Sequence, residues 1–594
     1  MAINNPYVPG DPFSYDLKWL VRKIKEHSAL LENIESTLDQ KIADAIMRYL
    51  DQHDPLYWET AADLISSDMK APSLAYIEGY YAKGDGGANL YFVTSDYNDV
   101  LAAPFYLTLD GPNRWAIPII VTPYVTPEMF GAHGDRSEDD TDAIQKTVDV
   151  AKDLSIGTVI FSRHYLMTHV HVYEGQTMKG MGGDIMVPDN YCVDSSQNYY
   201  IFENYGEDAV TFDGLTMYGN SANNTQFRVC DMITALEKHT VVKNCRLYDC
   251  IDSGIMFSAV DGGQCIENMI DGAPDCGIYV NSGTLNNLKG CVISGNTIRN
   301  CSASAIAAKR ICSKSIIDSN NIEDCQFGIT MENASTPDDF STDIAITNNW
   351  IYNMSSAGID VRGGFNHVIS GNTVIICDRG IMIEECSEVT VTGNIVETNS
   401  MTPGLSNRSS CVWVTYRSAT PVCKNVVISC NTLKTHGGRT AIVFGDSVAL
   451  EWDSITITGN AIDLDTHAIP IDVRGGSYMV NSIISNNTFV STVKMRLGLS
   501  SANNDVIISN NQGDYYVLSS ATTTALRLAP FQGALYTGAI AQRIINLPAT
   551  STALTTSTYK KGDLVFTGNT TGVILYLATA DGVGTGVLTA LINV

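Results

Sequence analysis

Nine times between residues 255 and 489 the chain repeats one two-part unit, and this recurrence leaves few folds open. One part is an Asn followed two residues later by an apolar side chain: Asn268-Met269-Ile270, Asn296-Thr297-Ile298, Asn320-Asn321-Ile322, Asn349-Trp350-Ile351, Asn372-Thr373-Val374, Asn394-Ile395-Val396, Asn431-Thr432-Leu433, Asn460-Ala461-Ile462 and Asn487-Thr488-Phe489. These asparagines stand 28, 24, 29, 23, 22, 37, 29 and 27 residues apart. A period in the twenties marks a solenoid.

The other part is a short strand. Its first inward position holds Ile255, Ile278, Ile306, Ile329, Ile359, Ile381, Val412, Ile442 and Ile469. Two residues on stand Phe257, Val280, Ala308, Met331, Val361, Ile383, Val414, Phe444 and Ile471. Both positions stay apolar in every unit, as a strand facing a core requires. A leucine-rich repeat has a similar period but needs a Leu lattice and an interleaved helix, and the sequence has neither. The pattern predicts an all-β parallel β-helix whose coils stack about 4.8 Å apart with Asn at the turns.

The flanks differ. Leu17, Ile24, Leu31, Leu38 and Ala45 recur at heptad spacing within 15–50, which predicts a helix, either a short coiled coil or an amphipathic helix packed on its own domain. Two β-like runs, Leu74–Ile77 and Leu90–Val93, flank the turn-forming Gly84-Asp85-Gly86-Gly87. Ile144, Val148 and Ala151 form an apolar stripe after Asp139-Asp140-Thr141, which predicts a capping helix over 141–152. The expected organisation is an N-terminal arm and helix over 1–55, a small β adaptor over 56–125, the β-helix over 126–515 and a C-terminal β-rich module over 530–594.

Composition removes other classes of function. Thirty-seven Lys and Arg against 64 Asp and Glu leave a net charge of −27, too few cations to neutralise nucleic-acid phosphates or an anionic membrane. No apolar run approaches the ~20 residues of a membrane span, and the N-terminus has no basic-then-apolar leader pattern. The expectation is a protein made in a cytoplasm, binding no nucleic acid and inserting in no membrane. Its 15 Cys lie singly from Cys192 onward with no C-x-x-C pair, as buried thiols acting as small hydrophobes. His169 and His171 share a strand face without a third ligand, and Asp135, Asp139 and Asp140 read as turn and capping residues. The reading requires no metal or other cofactor.

Phe130-Gly131-Ala132-His133-Gly134-Asp135 followed by Asp139-Asp140-Thr141-Asp142-Ala143-Ile144-Gln145 is similar to the opening motif of pectate-lyase-like right-handed parallel β-helix proteins. Gly79 to Gly87 with Leu90-Tyr91-Phe92 resembles the segment that precedes that motif in many bacteriophage tailspikes, and Tyr559 to Phe566 resembles a small β module at the ends of phage tail proteins. Gly86-Gly87-Ala88-Asn89 departs from the usual run of glycines. The resemblance implies a right-handed coil, a homotrimer in the virion tail, a phage tail or baseplate partner through the N-terminal region, and a bacterial surface polysaccharide as target. It supplies no catalytic residues, because neither the paired-Asp and Gly-His-Gly signatures of polygalacturonases nor the calcium-and-arginine set of pectate lyases is present.

Chemistry must therefore come from the outward face. One outward column reads Met256, Tyr279, Ala307, Thr330, Asp360, Met382, Trp413, Val443 and Pro470, and the next reads Ser258, Asn281, Lys309, Glu332, Arg362, Glu384, Thr415, Gly445 and Asp472. Glu332, Asp360 and Glu384 are the candidate catalytic carboxylates. Lys309, Arg362, Tyr279 and Trp413 are candidate substrate contacts, the rings for sugar faces and the cations for charged groups. Glu332 and Glu384 stand two coils apart, about 9.6 Å at the backbone, and Asp360 about 8 Å from either. These spacings suit the ~6.5–9.5 Å of an inverting glycosidase better than the ~5 Å of a retaining one. Extra length at 333–343 and 398–421 predicts loops that wall a cleft. Three readings stay open: a glycoside hydrolase, a polysaccharide lyase with Lys309 or Tyr279 as base, and a binding protein in which the alternating charges only avoid repulsion between neighbouring strands.

Overall fold

The computed structural model describes residues 56–513, with breaks at 97, 100–102, 104, 259–260, 282–287, 310–311, 333–340, 399–408, 417–423, 437–439, 446–449, 466–468, 475–476, 492–494 and 500–505, and beyond 513 the backbone of strands between 515 and 593. The helix expected over 15–50 and most of both expected loops lie outside the described residues. The chain divides into two compact units, one ending at Ile251 and one beginning at Asp252.

In the first unit, strand Ser73–Ile77 pairs antiparallel with Asn89–Thr94, which pairs in turn with Trp115–Ile119. The turn between the first two strands closes on Asp85, whose carboxylate accepts the backbone N–H groups of Tyr80, Tyr81, Ala82 and Gly87 at 2.7–3.0 Å. Tyr81 then meets the opening motif, its hydroxyl donating to Gly131 O at 2.9 Å and its ring stacking on His133 at 4.0 Å. Asp140 accepts from His133 N and Gly134 N, so it holds this turn rather than the helix behind it. Helix Thr141–Asp153 buries Ile144, Val148 and Ala151 completely, and the Val148 carbonyl accepts from Gln176 Nε2 at 2.8 Å. Parallel coils follow, with Thr158–Phe161, Thr177–Gly180, Thr211–Asp213 and Val241–Lys243 in one ladder.

The second unit winds as a parallel β-helix with three strands per coil, one on each of three faces. On the first face Ile255, Ile278, Ile306, Ile329, Ile359, Ile381, Val412 and Ile442 stand in continuous register and point into the coil. All are fully buried. The ninth unit departs from expectation by two residues, because Ile442 pairs with Ile471 and Phe444 with Val473. Ile471 therefore takes the first inward position in place of Ile469, and Asp472 rather than Pro470 follows Val443 outside. Residues 469, 471 and 473 are all apolar and of one parity, so alternation alone cannot choose between registers two apart.

The turn from the second face to the third carries a buried asparagine ladder. Asn268, Asn296, Asn320, Asn349, Asn372, Asn394, Asn431, Asn460 and Asn487 each donate the side-chain amide to Oδ1 of the next at 2.9–3.0 Å, ending at Asn511. The backbone N–H of each donates to the same oxygen, which satisfies groups that the tight turn leaves without strand partners. The residue before each Asn is left-handed, as at Gly371 and Gly393. At one such turn that residue is Cys430, the one exposed thiol among the described cysteines. Beyond the coils, Leu564–Asn569 and Gly572–Ala578 form an antiparallel hairpin on which Leu588–Asn593 pairs.

Candidate functional site

Stacking brings three successive first-face strands, Phe327–Glu332, Ala357–Ser370 and Arg379–Thr392, into one cluster. Glu332 lies opposite Arg362 and Arg362 opposite Glu384, while Asp360 precedes Arg362 by two residues on the same outer side. One guanidinium meets all three carboxylates. Arg362 donates to both oxygens of Asp360, from Nη2 at 2.7 Å and from Nε at 3.2 Å. Its Nη1 reaches Glu332 Oε1 at 3.4 Å, and Nε lies 3.8 Å from Glu384 Oε2. Lys309 Nζ closes the file 4.0 Å from Glu332 and 5.3 Å from the centre of the Tyr279 ring. The Tyr279 hydroxyl accepts from Asn281 Nδ2 at 3.2 Å.

The three carboxylates are not equivalent. Asp360 and Glu384 are buried, whereas the Glu332 side chain keeps 38% of its surface open. Burial pushes the Asp360 carboxyl above the usual carboxylate range, and the Arg362 hydrogen bond and charge pull it back. For Arg362, partial burial works against the charge, but Asp360, Glu384 and Glu332 outweigh it and hold the guanidinium more firmly protonated than usual.

The expectation that the first outward column faces solvent needs correction. Ala307, Thr330, Asp360, Met382, Trp413 and Val443 point away from the coil core and are nevertheless buried. Met382, Trp413 and Val443 pack into a small apolar cluster outside the coil, and the Trp413 indole N–H donates to Gly445 O at 3.2 Å. Trp413 therefore offers no open ring face for a sugar and serves as packing. Arg362 reaches over Asp360 and Arg379 to Met382, and residue spacing does not report such reach.

Arg379 is a member that the sequence reading missed. Its Nη1 lies 3.5 Å from Met382 Sδ, its Nη2 donates to Ser356 Oγ at 2.5 Å, and its charge also acts on Asp360. It shares the parity of the inward residues Ile381 and Ile383, which hid it. An arginine at a position of inward parity was itself the signal, since a charge is not tolerated in an apolar core and the side chain at the strand's start turns to the outer side instead.

The residues set aside make local contacts. His169 Nε2 lies 3.2 Å from Glu203, Asp135 accepts from Ser137, and Asp139 accepts from Thr141. Among the described residues no group of three or more His, Cys, Asp or Glu is arranged to hold a metal ion. No described helix is long and apolar enough to cross a membrane.

Residues 233–396 and 285–462 match the family model of the right-handed β-helix region. The coil is a right-handed parallel β-helix. A comparison with curated proteins gives no match. Among solved structures, this β-helix chain is similar to the tailspike protein gp49 of Acinetobacter baumannii bacteriophage Fri1, a capsular polysaccharide depolymerase, at 12% identity and a TM-score of 0.42 over 79% of this chain and 76% of that one. It is similar to tailspike protein 3 of bacteriophage CBA120 at 11% identity and 0.40, over 83% and 75%. A third is the catalytic unit of a thermostable α-1,3-glucanase from Streptomyces thermodiastaticus, at 14% identity and 0.42, over 70% and 74%.

Proposed function

We propose that this β-helix protein is a tailspike-like depolymerase that binds a bacterial surface polysaccharide and cleaves it by glycoside hydrolysis. The observation that carries the reading is the convergence of Glu332, Asp360 and Glu384 on the single guanidinium of Arg362. Hydrolysis of a glycosidic bond needs two carboxyl groups, one protonating the leaving oxygen and one activating water. Glu332, open to solvent, is placed to activate water, and Glu384, in drier surroundings, to serve the leaving group. Asp360 has both oxygens engaged by Arg362, so its role is to position that guanidinium between the other two. Lys309 and Tyr279 lie at one end, where a sugar ring and its substituents would rest. The opening-motif and tailspike-like segments around Gly79–Gly87 and Phe130–Gln145 support placement in a phage tail, with attachment through the N-terminal region.

A second reading, a polysaccharide lyase, is favoured by Lys309 standing over the Tyr279 ring, since such enzymes need a base of this kind. A third, binding without cleavage, takes the ion pairs as a closed charge ladder. Incubation of the protein with surface polysaccharides of candidate hosts separates them. New reducing ends with loss of chain length indicate hydrolysis, ultraviolet-absorbing unsaturated ends indicate a lyase, and retention without shortening indicates binding alone. Glu332→Gln and Glu384→Gln are each expected to lower cleavage by at least about 100-fold; wild-type rates in both remove the site assignment.

A further inference from the structure

The corner that follows the third face, in the unit beginning at Asp252, stacks two thiols in neighbouring coils. The third-face ladder pairs Arg299 with Glu323 and Glu323 with Tyr352. It continues through the corner, where Ser302 N donates to Ala273 O at 2.9 Å, Gln326 N to Cys301 O at 3.3 Å and Ser355 N to Cys325 O at 3.1 Å. Cys301 and Cys325 therefore hold the same place in successive coils, about 4.8 Å apart at the backbone. That spacing falls within the roughly 4.4–6.8 Å between Cα atoms that a disulfide spans. Ala273 and Met354 flank the two in the same file.

Two further features bear on what this pair can do. Both thiols line a cavity of about 520 Å³, together with Asp324, Gln326 and Asn353. Cys325 Sγ accepts the backbone N–H of Cys301 at 3.3 Å and a bond from the Cys301 thiol, and while protonated it donates to Glu323 O at 3.2 Å. Bonds donated to a sulfur favour its charged form. Burial pushes Cys245, Cys291, Cys377 and Cys411 up to about 12, whereas at Cys325 the bonds from Cys301 outweigh burial and hold the thiol below its ordinary value. The thiolate is the form that attacks. Asp324, whose carboxylate accepts from Asn353 Nδ2 at 2.5 Å, sets a negative charge on the cavity wall, which in a chain of net charge −27 favours entry of a cation.

We propose that Cys325 and Cys301 form a reactive dithiol site, which exchanges with small cationic disulfides through the cavity and closes into a disulfide between neighbouring coils. The Cys325 thiolate attacks one sulfur of the small disulfide, whose S–S bond breaks, and one half leaves as a thiolate that takes a proton from water. Cys301 then loses its proton to water and attacks the Cys325 sulfur, releasing the second half as a thiol. Two protein thiols are oxidised and one small disulfide is reduced to two thiols. Cys301 lies three residues before the strand Ser304–Lys309, and Cys325 two before Phe327–Glu332. The bond thus staples the coil that carries Lys309 to the coil that carries Glu332.

The test uses the full chain, reduced, freed of reductant and exposed to cystamine under native conditions, with peptide mapping by mass spectrometry after the remaining thiols are alkylated. A bond between Cys301 and Cys325 is expected, formed at least about tenfold faster than any change at the sealed Cys245 or Cys411. The exposed Cys430 stops at a mixed disulfide and reports that exchange is under way. Cys301→Ser is expected to leave one cysteamine on Cys325, and Cys325→Ser to leave Cys301 a thiol. Asp324→Asn is expected to slow cystamine at Cys325 by at least about threefold and to spare the neutral hydroxyethyl disulfide; equal slowing of both overturns entry past Asp324. Should a serine variant fail to fold, the wild-type map decides. Cys301 and Cys325 both still alkylated once Cys430 is modified overturns the proposal. So does a bond between Cys192 and Cys230, whose sulfurs lie 3.4 Å apart, in a chain where 301 and 325 stay reduced.

Discussion

Asp360 and Arg362 stand two residues apart on one strand, and both carboxylate oxygens of Asp360 accept from the guanidinium, at 2.7 and 3.2 Å. The period-2 geometry of a strand puts both side chains on the outer side of the coil. Coil stacking then sets Glu332 and Glu384 on either flank of the same cation. Asp360→Asn keeps the shape and removes the charge. It is expected to cost about 1–3 kcal/mol in denaturant unfolding, since it leaves a partly buried guanidinium short of its main partner. If Asp360 positions Arg362, kcat on a cleavable glycan falls more than KM rises; an unchanged kcat contradicts that role.

Trp413 tests the corrected reading of the outer column. Trp413→Ala is expected to lower stability by about 3 kcal/mol, the usual cost of emptying a packed aromatic site, and to leave KM for the glycan unchanged. Loss of glycan affinity at wild-type stability would restore a stacking role.

The asparagine ladder makes a sharper stability prediction. Asn372 donates to Asn394 Oδ1 at 3.0 Å and accepts from Asn349 at 2.9 Å, fully buried. Asn372→Ala removes the amide and strands the neighbouring groups, so a loss of about 2–4 kcal/mol is expected in thermal or denaturant unfolding. A change below about 0.5 kcal/mol would mean that water replaces the ladder at that turn.

His367 gives a pH dependence with a definite sign. It is buried where the chain passes from the first face to the second, its Nε2–H donating to Gly363 O at 3.3 Å. Burial lowers its pKa to about 4, so the folded state excludes a proton that the unfolded chain takes up near 6.5. The stability this confers is complete above about 6.5 and is lost as pH falls toward 4, approaching about 3 kcal/mol in total. Denaturant midpoints measured between pH 7 and 4 should fall more steeply for wild type than for His367→Gln. Equal slopes would show that His367 takes up its proton as readily in the folded state as in the unfolded one.

Much of this molecule was legible in its residues. The inward columns from Ile255 to Ile442 and the asparagines from Asn268 to Asn487 follow from periodicity, because a two-residue alternation inside a recurring coil admits one arrangement of core and turn. Adjacency along the Lys309, Glu332, Arg362 and Glu384 file was legible for the same reason, since equal offsets in successive coils become neighbours once the coils stack.

Exposure, register and pairing belonged to the tertiary structure. Alternation assigns Trp413, Met382 and Asp360 to the outside of the coil, yet whether water reaches them depends on side chains that arrive from other coils and corners, Arg362 and Arg379 among them. The choice of Ile471 over Ile469 was likewise made by backbone pairing, because both residues satisfy the same pattern. Local sequence thus determined which way each side chain points, through the geometry of a single strand, while stacking decided what each one meets, because contacts between coils join residues more than twenty positions apart.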